Sequence, residues 1–306
     1  MTPQPADAAS ARQARCGANP LASLVELDVE RFREAVGRRE IALRHRLAMH
    51  PLLSLDALAE LADALPAAAI ECHAAEQPLL MPGGAEDLYE PPSETVRNIE
   101  GSKRWMVLWN IEQVGEYRCL LDGTLDEALR CLPTREGAMG RREAFIFLSA
   151  PESVTPVHFD PEHNFLLQIR GFKTVHTGRF PDRASELREL HRYYEGGHRN
   201  LEAIPPKSSD FAMQPGDGVY LYPWVPHWVC NGAAVSVSLS VTFRTRRSER
   251  FERVHMFNRK LRRYGIAAPP PGEFESLDRL RSTSIACVEW VHRRGRAAKG
   301  ARDFSH

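Results

Sequence analysis

The chain has 306 residues, 43% of them hydrophobic, and its 40 Lys/Arg are cancelled by 40 Asp/Glu. That length can bury a proper core as one large domain or two small ones, and the zero net charge excludes global charge as a guide to partners. The distribution says more: residues 244–303 hold 16 Lys/Arg against 7 Asp/Glu, an excess that the remainder of the chain offsets.

Such a basic end suits RNA, an acidic peptide or an acidic surface of the same chain, so nucleic acid stays open as a partner. Six cysteines (Cys16, Cys72, Cys119, Cys131, Cys230 and Cys287) are scattered with no CxxC pair. In a chain this long they read as reduced thiols, which predicts a cytoplasmic protein. No apolar run reaches the roughly 18 residues of a membrane span. The N-terminus, MTPQPADAASARQARCGANP, has no apolar core and does not read as a signal peptide. Residues 1–20 are expected to be disordered, with a helical region over 21–100.

Within that region, residues 28–66 read as helix. Ser54 can cap a helix in which Leu55, Leu58, Leu61 and Leu65 recur at helical spacing, with Asp56 in the first turn. His45, His50 and His73 are expected to be core or surface residues rather than ligands. A turn-rich passage, MPGGAEDLYEPPSE, follows, and Ser93 is a candidate N-cap for the next helix. Residues 103–113, KRWMVLWNIEQ, are apolar with an aromatic bias and read as a strand or the start of a buried helix. Trp105 and Trp109 are expected to pack in the core. Residues 115–132 look like a helical pair, and EAFIFLSAP (143–151) is a clear strand.

From there the chain reads as short strands separated by turn signals. TPVHFDPEHNFLLQIRGFK (155–173) places His158 and Asp160 two residues apart. On a β-strand, residues i and i+2 point to the same face, so an imidazole and a carboxylate would converge. His227, in YPWVPHWVCNG, is the best candidate for a third ligand. Two imidazoles and one carboxylate would form the facial triad of non-haem Fe(II) oxygenases, with open coordination positions. His163, His176 and His198 compete for the third place. His163 would face the metal only if the strand ended at once, His176 should point away from the pocket, and His198 lies in a loop that could touch substrate. Gly171 reads as a hairpin turn between 164–170 and 172–179. Lys173, 15 residues after His158, should then lie on the neighbouring strand, where it could hold a dicarboxylate.

Residues 215–218, Pro-Gly-Asp-Gly, turn into a strand running toward His227, which Trp224 and Trp228 flank. VSVSLSVTF (235–243) alternates strictly. Val235, Val237, Leu239 and Val241 take one face; Ser236, Ser238, Ser240 and Thr242 take the other. A barrel with an apolar packed face and a polar interior would show this pattern. The fold expected is mainly β: a double-stranded β-helix (jelly roll, cupin-type) over 101–246, with helical extensions on both sides. In the C-terminal extension (247–306), Phe251, Val254, Phe257 and Leu261 form an apolar stripe stopped at Gly265, and a second amphipathic helix follows over 274–294.

T-P-x-H-x-D, N-F-x-x-Q-I-x-G-x-K, P-G-D-x-x-Y-x-P, a following His and the Val/Ser run together resemble the JmjC (cupin-like) 2-oxoglutarate-dependent oxygenases. The resemblance covers about residues 145 to 245. It is closest to the subgroup that contains the asparaginyl hydroxylase of hypoxia-inducible factor, and to small bacterial JmjC proteins. It implies Fe(II) held by His158, Asp160 and His227, with 2-oxoglutarate and O₂ as cosubstrates. It places the far carboxylate of 2-oxoglutarate on Lys173 and Thr155, and its C1 carboxylate near Asn164. Ser240 stands where the resembled hydroxylase has an Asn. The implied reaction is hydroxylation of a substrate C–H with release of succinate and CO₂, which on an N-methyl carbon ends in demethylation.

Three functions remain on this reading. The first is a hydroxylase or demethylase acting on a protein or peptide side chain. The second is the same chemistry on a small metabolite or an RNA base, and the third a metal-holding regulatory cupin without turnover. In the resembled subgroup the C-terminal helices make a dimer interface. Here they could do that or simply cover the open end of the barrel.

Overall fold

The structure, a computed structural model, describes residues 23–74, 91–101 and 104–303. The segment expected to be disordered, and all but the end of the turn-rich passage, lie outside the described residues. Two antiparallel sheets carry the fold. The larger one has the order β1-β2-β10-β7-β12-β5-β4-β3. In chain order these strands are β1 (Val25–Glu26), β2 (Ile41–His45), β3 (Ile70–Ala74), β4 (Arg104–Leu108), β5 (Met139–Ser149), β7 (His163–Arg170), β10 (Asp217–Leu221) and β12 (Ser236–Thr245). The smaller sheet has the order β6-β11-β8-β9. Its strands are β6 (Val154–His158), β8 (Lys173–Gly178), β9 (Lys207–Met213) and β11 (His227–Asn231). From β5 to β12 the chain crosses repeatedly between the sheets, which makes a double-stranded β-helix.

The alternation of β12 has the expected cause. Val237, Leu239, Val241 and Phe243 enter the main apolar core, on the outer face of the larger sheet. The hydroxyl-bearing residues face inward, between the sheets. There the Ser238 hydroxyl donates to Gln168 Oε1 at 2.7 Å, and Gln168 Nε2 donates to Ser236 Oγ at 3.0 Å. A buried polar interior is tolerable only when its groups are paired in this way. The outer face is covered by helices α1 (Val29–Ala35), α2 (Leu55–Ala64) and α4 (Gly115–Cys131), which contribute Phe32, Leu58, Leu61 and Leu121 to the same core.

Several elements differ from the sequence expectation. Residues 28–66 are not one helical stretch. Ile41, Leu43 and His45 are buried while Ala42 and Arg44 are exposed. This period of two becomes β2, which pairs with β10 inside the larger sheet. The helix that Ser54 was expected to cap does form, with the Ser54 side chain accepting from the Ala57 N–H. Ser93 is not a cap. It lies inside α3 (Pro92–Arg97), and its N–H is satisfied by Asp63 of α2 at 3.2 Å. Residues 115–131 form one helix rather than a pair. Gly123 lies within it, and a Cβ there would come within 3.2 Å of Leu24.

Gly171 is not a hairpin turn. β7 pairs with β10 and β12, whereas β8 pairs with β9 and β11, so the chain changes sheets at this corner. Its φ of +75° suits glycine, and a Cβ would meet the Val235 carbonyl oxygen. In the C-terminal extension, α6 (Arg246–Arg262) opens on a Thr245/Ser248 capping box and packs against α5 (Arg183–Tyr194) and α7 (Glu275–Asp303). Phe251 of α6 lies on Trp224, ring centroids 4.4 Å apart, so this helix braces the loop before His227. No helix among the described residues is long and apolar enough to cross a membrane.

Candidate metal centre

His158 ends β6 and His227 begins β11, and the two residues are register partners. Their rings lie 4.2 Å apart, centroid to centroid. Each Nδ1 lies against a backbone carbonyl two residues earlier: His158 on Pro156 at 2.8 Å, His227 on Val225 at 3.0 Å. A carbonyl can only accept, so these bonds put the proton on Nδ1 and leave the Nε2 lone pair free. Both Nε2 atoms face Asp160 Oδ2, at 3.7 Å from His158 and 3.5 Å from His227. One donor atom from each residue lies within 4.8 Å of the other two.

The protonation states suit ligands. Burial, and then the neighbouring His227, push the His158 imidazole down to about 3. Burial also lowers His227. Burial alone would raise Asp160, but Arg199 and the two histidines outweigh it and hold the carboxyl at about 2. At neutral pH the group is therefore two neutral imidazoles and one carboxylate, a donor set that fits a divalent first-row metal.

Asp160 does not reach this point in the way its spacing implied. The strand ends at His158, so no ladder partner fixes the residue two places on. Phe159 is buried against Leu190 and Tyr194 of α5, and the Asp160 carbonyl accepts from the Trp224 N–H at 2.7 Å. The carboxylate itself is held by Arg199, whose Nη1 donates to Oδ1 at 2.5 Å.

The cosubstrate candidates line the same pocket: Lys173, Thr155, Asn164 and Ser240, with both histidines and Asp160. Lys173 is not on the strand next to His158; β11 lies between β6 and β8. Its register partner Asn231 shares strand parity with His227, so Lys173 still faces inward. It is 4% exposed, and burial alone lowers its ammonium to about 7. No carboxylate pairs with it among the described residues.

Thr155 owes its place to a bulge. His227 pairs with His158 and Val229 with Thr155, so β6 holds one residue more than β11 between those pairs. Three positions apart, Thr155 and His158 would otherwise face opposite ways. Asn164 and Ser240 meet directly, the serine hydroxyl donating to Asn164 Oδ1 at 2.8 Å. Removing it with Ser240→Ala should cost about 1 kcal/mol of stability, the usual worth of one such bond, while leaving metal affinity unchanged. Denaturant melts and a metal titration check both halves.

The competing histidines are elsewhere. His163 is buried on the opposite face of β7, hydrogen-bonded to the Tyr220 hydroxyl at 2.7 Å and stacked on Phe243. His176 pairs with Asp210 at 2.6 Å, pointing away from the pocket. His198 accepts from the Asn200 N–H. Trp228 stacks on His176, and Trp105 is buried against His73.

Sequence reasoning missed Phe145 and Phe147 in the aromatic wall of the pocket; Trp109, expected to pack in the core, does pack against it and also lines this wall. The alternate positions of Phe145 and Phe147 in EAFIFLS were a usable signal. It also missed Arg199 and Glu162, which line the pocket too. Glu162 is held by Arg244, itself buried, at 2.6 Å.

Residues 124–251 match the family model described as the JmjC domain. That stretch is similar to the JmjC domain family. The triad, Lys173 and Ser240 all fall inside the matched span, and the match supports a 2-oxoglutarate-dependent oxygenase. None of the curated proteins matches the sequence. Among solved structures, the fold is similar to that of Escherichia coli ycfD. The identity is 17%, the alignment covers 86% of this chain and 68% of that one, and the TM-score is 0.49. A structure of YcfD described as a ribosomal oxygenase, in complex with cobalt and 2-oxoglutarate, is 16% identical over 86% of this chain and 67% of that one, with a TM-score of 0.48. The DMSP lyase DddQ from Ruegeria pomeroyi DSS-3 is more distant, at 14% identity over 33% of this chain and 37% of that one, with a TM-score of 0.23.

Proposed function

We propose that this protein is an Fe(II)- and 2-oxoglutarate-dependent dioxygenase that hydroxylates or N-demethylates a protein or peptide side chain. The observation that carries the reading is the pairing of two features in one pocket: His158, Asp160 and His227 converge there, and Lys173 is buried there with no carboxylate paired to it among the described residues. An unpaired buried ammonium is costly, and a dicarboxylate anchored at the triad would relieve that cost.

In this reading His158, Asp160 and His227 hold Fe(II), which when bound supplies the redox chemistry that couples 2-oxoglutarate decarboxylation to substrate oxidation. The Nδ1 bonds to Pro156 and Val225 hold both imidazoles in the ligating tautomer. Lys173 and Thr155 orient the cosubstrate by its far carboxylate, and Asn164, positioned by Ser240, lies at the other end. Trp109, Phe145 and Phe147 exclude water from the reacting carbon and offer an apolar surface to the entering side chain. The choice of a protein or peptide substrate rests on the resemblance of the sequence motifs to the asparaginyl hydroxylase subgroup.

The test is succinate formation from 2-oxoglutarate by purified protein with Fe(II), ascorbate and O₂, without a prime substrate. Slow turnover that needs both iron and O₂ is the expected result. Neither turnover nor metal-dependent binding of 2-oxoglutarate would sink the proposal and favour a metal-holding cupin.

A further inference from the structure

The segment between β8 and β9 contributes one side chain to the metal centre, and its backbone is built to deliver it. After α5 the chain turns through Gly196 (φ +103°) and Gly197. A Cβ at Gly197 would fall 2.8 Å from the Arg192 carbonyl oxygen, so the return is tight. The chain then runs beside the strand that carries His158. The Leu201 N–H donates to the Val157 carbonyl at 2.9 Å, the Phe159 N–H donates to the Arg199 carbonyl at 3.4 Å, and Asn200 forms a β-bridge with His158. Arg192 clamps the far side, its Nη2 donating to the Asn200 carbonyl at 2.6 Å. Arg199 is thus fixed relative to the metal-ligand strand, and its guanidinium bonds Asp160 Oδ1 while Oδ2 faces the two imidazoles.

We propose that Arg199 is a positioning residue for the metal centre: it occupies Oδ1 of Asp160 and so presents Oδ2 alone to the ion. The need for it follows from where β6 stops. His158 and His227 are held by the β-ladder and by their Nδ1 bonds, but Asp160 lies beyond the last strand residue. Without Arg199 its carboxylate could rotate, or bind through both oxygens and take up a position that 2-oxoglutarate and O₂ require. The guanidinium suits the task because its donors form a rigid planar fork. The inference rests on the assignment of His158, Asp160 and His227 as metal ligands.

Two physical effects of removing Arg199 oppose each other, and that makes the proposal testable. Loss of a nearby positive charge favours a cation, whereas loss of the hydrogen bond frees the ligand. Partner groups that orient metal ligands typically contribute about 10–100-fold in affinity. The experiment is titration of the full-length protein with Co(II), followed by calorimetry and by the visible d–d spectrum, for wild type, Asp160→Ala, Arg199→Ala, Arg199→Gln and Arg199→Lys. Positioning predicts that Arg199→Ala binds Co(II) about 10–100-fold more weakly, with a changed d–d band. Arg199→Gln, which keeps a donor but no charge, should recover much of that loss, and Arg199→Lys less. If Arg199→Ala and Arg199→Gln both bind Co(II) as tightly as wild type or more tightly, the proposal is overturned while the triad stands. Failure of wild type to bind, or unimpaired binding by Asp160→Ala, would overturn the triad and the proposal together. Circular dichroism of each variant separates these outcomes from misfolding; Arg199 sits in a partly exposed loop, so the fold should survive its replacement.

Discussion

Asp160→Ala is expected to abolish metal binding and, with it, all consumption of 2-oxoglutarate. The other two donors are neutral imidazoles, held so by burial. They offer no charge to offset a divalent cation in a site removed from water, and only Asp160 does. The substitution also strands Arg199, whose guanidinium would then face the ion directly and repel it. Retained turnover in this variant would disprove the triad. The fold should be largely unaffected, because the Asp160 backbone is held through its carbonyl by the Trp224 N–H and not by its side chain. Calorimetric titration with Co(II) or Mn(II), alongside circular dichroism, separates a lost site from a lost fold.

Lys173→Ala should weaken 2-oxoglutarate binding by about 2 kcal/mol, or about thirtyfold, with metal affinity nearly unchanged. The same lysine predicts a pH dependence with a definite sign. In the free protein burial lowers its ammonium to about 7. A bound carboxylate favours the charged form and raises that value in the complex. Below about pH 7 the lysine is charged in both states, and affinity is at its full value. Above that, binding must first take up a proton, so affinity falls by up to about tenfold per pH unit until the value of the complex is reached. Lys173→Arg, charged throughout, should bind with a flat profile across this range. Isothermal titration between pH 6.5 and 9 in buffers of different ionisation enthalpy measures both the affinity and the proton uptake. A flat wild-type profile without proton uptake would show that another cation receives the carboxylate.

The same burial acts on folding with the opposite sign. The unfolded lysine keeps its ordinary value, so between that value and about 7 the unfolded chain binds more protons. The contribution of Lys173 to the stability of the ligand-free protein therefore falls as pH drops through this window.

The two halves of the chain differed in how much their residues revealed. The cluster of His158, Asp160 and His227 was legible because metal chemistry accepts few residue types, although the strand spacing that suggested it ends at His158 and does not itself place Asp160. The alternation in β12 was legible because a strand between an apolar core and a polar interior must alternate. The N-terminal half was harder. Ile41–His45 is only a few residues long and lies between helix-like segments; what makes it a strand is its pairing with β10, far along the chain. Gly171 read as a hairpin because local sequence records a tight turn but not which sheet each arm joins.

By itself, then, the sequence determined the residue types that can ligate a metal, the inward and outward faces of the barrel strands, and the cap that starts α2. Each depends on short-range periodicity or on the chemistry of single side chains. The tertiary structure alone decided that Thr155 shares a face with His158 through a bulge in β6, that Lys173 reaches the pocket from one strand beyond, and that Arg199 bonds the Asp160 carboxylate, which no ladder pair fixes. These depend on pairings between distant segments, whose register is set by the packing of the whole barrel and leaves no periodic mark on either segment.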